Sequence, residues 1–130
     1  MPKAYFRPRT AIVVIAVELT NRATGRSVTV NMLLDTGATY TAIPMRVAKG
    51  LGVPVDPGQT TRILTAKGSF ERVPLLCLDQ VQVLGLGAED VEAVIINLPA
   101  KTGLDGLLGG SYLRDYRVLI DYPRGILEIE

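Results

Sequence analysis

Residues 11–34 constrain the fold more than any other stretch. "AIVVIAVELT" (11–20) is dense in β-branched residues, "NRATGR" (21–26) supplies turn chemistry, and "SVTVNMLL" (27–34) alternates polar and apolar positions. That pattern is a β-hairpin, because period-two alternation with Val and Ile suits a pleated, half-buried surface and not a helix face. The hairpin delivers Asp35 at the end of its second strand, at the head of "DTGAT" (35–39). Asp, Thr and Gly are ordinary residues where a strand ends in a turn. An acid in this position has to be interpreted from the rest of the chain.

Composition narrows the options. Hydrophobic residues make up 48% of the 130 residues while aromatics make up 5%, with no Trp, so the core is built from Val, Ile and Leu. The length is that of one domain, expected over 1–130. Fourteen basic and thirteen acidic residues leave a net charge of +1, and the aromatics show no stacking pattern, which argues against nucleic-acid binding. Lys3, Arg7 and Arg9 precede an apolar run that superficially suggests a secretory signal. That run carries Glu18, lacks a small-residue cleavage site and is too short to span a bilayer, so a core strand, no membrane partner and a cytoplasmic location are expected.

The absence of His excludes Ser-His-Asp and Cys-His schemes and disfavours zinc, and Cys77 is the only cysteine. Carboxylates are the acid–base groups left. Two held close cannot both ionise; they share a proton, so one acts as base and the other as acid, and together they can activate a water against an amide. One Asp-Thr-Gly supplies half of such a pair. Asp56, Asp79, Asp90, Asp105, Asp115 and Asp121 are not followed by Thr-Gly or Ser-Gly. The other half can come from a second copy of the chain, because a twofold axis brings the same residue to both sides of one site.

Further along, "YTAIPMRVAKGLG" (40–52) predicts a short helix with Pro44 at its first position and Gly50 or Gly52 at its end. "TRILTAKGSFERVPLLCL" (61–78) predicts a hairpin with its tip at Ala66-Lys67-Gly68-Ser69. "VQVLGL" (81–86) and "VEAVIINL" (91–98) read as a strand pair around "GAED". "LLGGSYLRDY" (107–116) reads as an apolar pair and two glycines before a short helix that Ser111 could cap. "RVLIDYPRGILEIE" (117–130) closes the chain as two strands about a Pro-Arg-Gly turn. Many short strands and two brief helices indicate a mainly-β closed barrel.

"LLDTGAT" (33–39) resembles the active-site motif of the retropepsin-like aspartic proteases, and "GLLGGSYL" (106–113) resembles their second signature. With the hairpin between them, the resemblance covers about residues 11–129 and is nearest the cellular, bacterial-type members. It implies an acid-protease β-barrel with a flap hairpin, working as a homodimer on peptide or protein substrates with no cofactor and no metal. Asp35 would be catalytic, one per subunit. Thr36, Gly37, Ala38 and Thr39 would complete the active-site loop, Thr36 bonding across the dimer axis and Gly37 presenting its N–H to Asp35. Leu107, Leu108 and Gly109 would pack beneath that loop. Residues 62–73 would form the flap, with Thr65, Ala66, Lys67, Gly68 and Ser69 at its tip.

Two positions depart from the viral pattern. Thr39 and Gly110 stand where viral members usually have Asp and Arg, so the ion-pair network of those dimers does not carry over. Ile126, Leu127 and Ile129 make the last strand apolar enough to interleave between subunits. Apolar substrate subsites are expected from Ile43, Ile63, Leu64 and Val94. The alternative function is a catalytically inactive retropepsin-like module that binds peptides or mediates dimerisation.

Several other features read as structural. "GLLGG" is not followed by Lys-Ser/Thr and "GLGAED" lacks its last glycine, so neither is a nucleotide loop. Cys77 reads as a strand residue, Asp121 as a strand end, Tyr112 and Tyr116 as packing residues, and Asp105 as turn chemistry or the partner of a basic group.

Overall fold

The computed structural model describes residues 2–130. The strands are β1 (Lys3–Tyr5), β2 (Val14–Asn21), β3 (Arg26–Leu34), β4 (Thr41–Ile43), β5 (Thr60–Leu64), β6 (Phe70–Val83), β7 (Leu86–Ile95), β8 (Gly106–Leu108), β9 (Val118–Asp121) and β10 (Ile126–Ile129). Two short helices, α1 (Met45–Leu51) and α2 (Gly110–Leu113), accompany them. The fold is mainly β, as expected from the sequence.

The strands run β2-β3-β8-β4-β7-β6, and antiparallel pairing of β6 with β2 (Leu19 opposite Val81) closes them into a barrel. Alternation along β2 sends Ile15, Val17 and Leu19 inward, where they meet Met32, Leu78, Val81, Val83 and Leu108. Closure leaves few free edges, which suits a chain this rich in β-branched residues. β5 extends from β6 as a hairpin, and β1-β10-β9 form a separate three-stranded sheet whose Leu127 and Ile129 also enter the core.

The opening hairpin forms as expected, although its first strand starts at Val14. Its turn is held by buried Asn21, whose Oδ1 accepts the Ala23 N–H and whose amide donates to Leu51 O at 2.8 Å. α1 begins one residue later than predicted: Pro44 is the extended residue before it, and Gly52 ends it in the left-handed region at φ 74°.

Three other expectations are corrected. "GAED" is not a turn. The β6–β7 turn is Leu84-Gly85, with φ of 52° and 80°, the two positive values of a type I′ hairpin, and residues 87–90 run within β7. Ser111 does not cap α2; Gly109 holds that position, and the Ser111 hydroxyl points to Thr41. β1 was not foreseen, and it pairs with β10 of its own chain, Ala4 opposite Leu127.

Candidate active site

Asp35 is the first residue beyond β3, and β8 holds it there. β3 and β8 run parallel, with Leu33 opposite Leu107 and Leu34 opposite Leu108, and the Asp35 N–H donates to Leu108 O at 3.0 Å. The loop then folds back on its own acid. The Gly37 N–H donates to Asp35 Oδ1 at 3.1 Å, and the Ala38 N–H donates to Asp35 O at 3.2 Å. One carboxylate oxygen is thus engaged by the backbone, and the residue is half-buried.

The second glycine-rich segment supports this loop from below. The Gly110 N–H donates to Ala38 O at 2.7 Å, and the Ser111 N–H to Thr39 O at 2.9 Å. This approach requires glycine at 109: a Cβ there would overlap the Tyr40 carbonyl and lie 2.9 Å from Ala38 O. Thr41 and Ser111 tie the layers together. Thr41 Oγ1 accepts from the Gly109 N–H at 3.3 Å and from the Ser111 hydroxyl at 3.0 Å. Both residues are buried, and hydrogen bonds of this kind keep buried polar groups from being a cost.

Above the loop lies a cleft of about 430 Å³. Asp35, Gly37, Ala38 and Thr39 form its floor, Ala42, Val94, Ile96 and Leu107 one wall, and Arg62, Ile63 and Leu64 of β5 the other. The Tyr40 hydroxyl lies 3.4 Å from that of Thr61, joining the loop's end to the β5–β6 hairpin. The hairpin tip is Thr65–Ser69, closed by the Thr65 N–H on Ser69 O at 2.9 Å and by the Gly68 N–H on Thr65 O at 3.0 Å. Ala66, Lys67 and Gly68 are exposed on it.

The structure therefore brings "DTGAT", "LLGG" and the central hairpin to one cleft, with Thr36 exposed at the loop's apex. Within the second signature the roles divide. The Leu107 side chain faces the cleft, the Leu108 side chain is fully buried in the core while its carbonyl holds the Asp35 N–H, and Gly109 lies directly beneath the loop. Ile43 is not a subsite residue: strand alternation turns Thr41 and Ile43 into the barrel and leaves Ala42 on the cleft. Gly37 is not in the left-handed region, and a Cβ there would only touch Asp35 Oδ1 at 3.5 Å. Thr41, Ser111 and Tyr40 are site residues that the sequence does not mark, because Thr, Ser and Tyr carry no motif of their own; Arg62 falls within the expected flap, residues 62–73.

Asp105 turns out to be a clamp and not a turn residue. It accepts the Asn31 N–H at 2.8 Å and pairs with Arg46 at 2.6 Å, and those two contacts hold its carboxyl below the usual range. Tyr112 is wholly buried, donates to Leu86 O at 2.8 Å and stacks on Tyr116, whose own hydroxyl donates to Gly87 O. Asp121 ends β9 and accepts the Arg124 N–H at 3.0 Å. Cys77 lies on β6; partial desolvation, then Asp90, Asp79 and Glu92, raise its pKa and disfavour the thiolate. Among the described residues, no group of three or more His, Cys, Asp or Glu could hold a metal, and no helix is long and apolar enough to cross a membrane.

The sequence model of the aspartyl protease family matches residues 20–112, a span that runs from the opening hairpin to the second signature. The fold is similar to that in the crystal structure of a retropepsin-like aspartic protease from Rickettsia conorii, with a TM-score of 0.67 and 23% identity over 100% of this chain and 99% of that one. No curated protein matches the chain significantly.

Proposed function

The chain belongs to the aspartyl protease family, and from that premise we propose that its 130 residues form a homodimeric endopeptidase in which Asp35 of each subunit supplies half of the catalytic pair. The observation that carries the reading is the placement of Asp35. It is half-exposed on the floor of a cleft of about 430 Å³, with one oxygen engaged by Gly37 and its loop pinned from α2. A single such carboxylate is a weak base. Two of them across a twofold axis would share one proton.

In that pair the ionised carboxylate takes a proton from water as the water oxygen attacks the amide carbon. The protonated carboxyl gives its proton to the carbonyl oxygen; the first carboxyl then passes the proton it took from water to the departing nitrogen as the C–N bond breaks, and a gem-diol hydroxyl returns a proton to the second carboxylate as the carbonyl re-forms. Gly37 keeps the loop carboxylate in place. Thr36, exposed at the apex, would meet the opposing loop across the twofold axis. The β5–β6 hairpin is the flap; it would close on the peptide, add strand-like hydrogen bonds and exclude bulk water.

The inactive-module alternative predicts peptide binding without turnover. Incubating the protein with a diverse peptide mixture, with and without an aspartic-protease inhibitor, separates the two. Inhibitor-sensitive cleavage that vanishes in a folded Asp35→Asn protein supports the protease. Binding with no cleavage by the wild type would leave the module.

A further inference from the structure

We propose that Arg62 selects peptides carrying an Asp or Glu side chain near the apolar residues that flank the scissile bond, an inference that rests on the protease reading above. Among the described residues, Asp35 and Arg62 are the charged side chains that line the cleft. Ile63 and Leu64 beside Arg62 are apolar, as are Val94 and Leu107 on the facing wall, so the cleft offers one cationic position between two apolar walls above the Asp35 floor.

That cation is unneutralised. The ion pairs among the described residues engage Lys3, Arg22, Arg46, Arg117 and Arg124, but not Arg62. Directly across the hairpin from Arg62 stands Arg72, an arrangement of like charges that costs stability. Each is relieved only by neutral groups: Arg72 donates to the Thr60 hydroxyl at 3.0 Å, and the Arg62 guanidinium lies 4.8 Å from the centre of the Phe70 ring. A carboxylate arriving in the cleft would remove this repulsion. Stacking on Phe70 also holds the guanidinium in a limited set of orientations, which lowers the ordering cost of gripping a carboxylate through two N–H groups.

The test uses a peptide library with a fixed Leu-Leu centre and randomised flanks. Products released by the wild type and by Arg62→Glu are sequenced, and retention of the uncleaved library on immobilised Asp35→Asn protein, with and without Arg62→Glu, is read in parallel. The wild type should favour Asp or Glu over Gln at one flanking position by about fivefold, and Arg62→Glu should reverse that preference toward Lys or Arg. Cleavage with no acidic preference, or with the same preference in both proteins, overturns the role of Arg62 and leaves the protease reading intact. Acid-selective retention that depends on Arg62, without any cleavage, overturns the protease reading and keeps the acidic selectivity. Neither cleavage nor acid-selective retention overturns both.

Discussion

The Ser111 hydroxyl accepts the Thr41 N–H at 2.9 Å and donates to the Thr41 hydroxyl at 3.0 Å, with both residues buried. This contact joins α2 to β4 and, through the Gly109 N–H on Thr41 Oγ1, sets the height of the second signature under the Asp35 loop. Ser111→Ala leaves the Thr41 N–H without its acceptor inside the protein. Urea denaturation should show a loss of about 1–3 kcal/mol, whereas a change within about 0.5 kcal/mol would mean that the contact does not bear on the fold.

The two glycines at the loop differ in kind. Gly109→Ala places a Cβ against the Tyr40 and Ala38 carbonyls, which are backbone and cannot swing aside. It should destabilise the protein by about 3 kcal/mol or prevent folding. Gly37→Ala meets only an ordinary contact with Asp35 and has no positive φ to lose, so it should fold and melt within a few degrees of the wild type. Equal melting temperatures for the two variants would contradict this distinction.

Asp105 makes the stability depend on acid. Its folded pKa is lowered by the Asn31 N–H and by Arg46, so its contribution is fully present above the ordinary value of 3.8 and is lost as pH falls through the lower folded value. Asp105→Asn should therefore be less stable at neutral pH by about 1 kcal/mol. The gap to the wild type should narrow as both are titrated to pH values below the ordinary 3.8. A gap that stays constant across this range would show that the clamp is not electrostatic.

Tyr112 fills the core between α2 and β7, and its hydroxyl satisfies Leu86 O at the mouth of the Leu84-Gly85 turn. Tyr112→Phe keeps the ring and removes the bond, for a loss of about 1 kcal/mol. Tyr112→Ala empties a fully buried site and should cost about 3–5 kcal/mol. Comparable losses in the two variants would assign the stability to the hydroxyl and not to the ring.

Much of this was legible in the chain because local chemistry and the global fold agree. The β2–β3 hairpin announces itself by alternation, and Asp35 follows from where that alternation stops. What could not be read depends on distant partners. The Leu84-Gly85 turn carries no Asn or Asp to mark it, while "GAED" imitates a turn although it lies in β7. Ile43 looked like a subsite because apolar content does not say which side of a three-residue strand faces the cleft. Ser111 looked like a cap because its sequence neighbours suit one; its true partner is 70 residues away. β1 is only three residues long and is a strand because β10 is beside it.

The central claim is that one site uses Asp35 from two copies of the chain. Wild-type and Asp35→Asn subunits can be co-equilibrated at varied ratios and fixed total concentration, and peptide cleavage measured for each mixture. If both carboxylates are needed, activity follows the square of the wild-type fraction, about a quarter of full activity in an equal mixture. Activity proportional to the wild-type fraction, about half in the same mixture, would contradict the shared site.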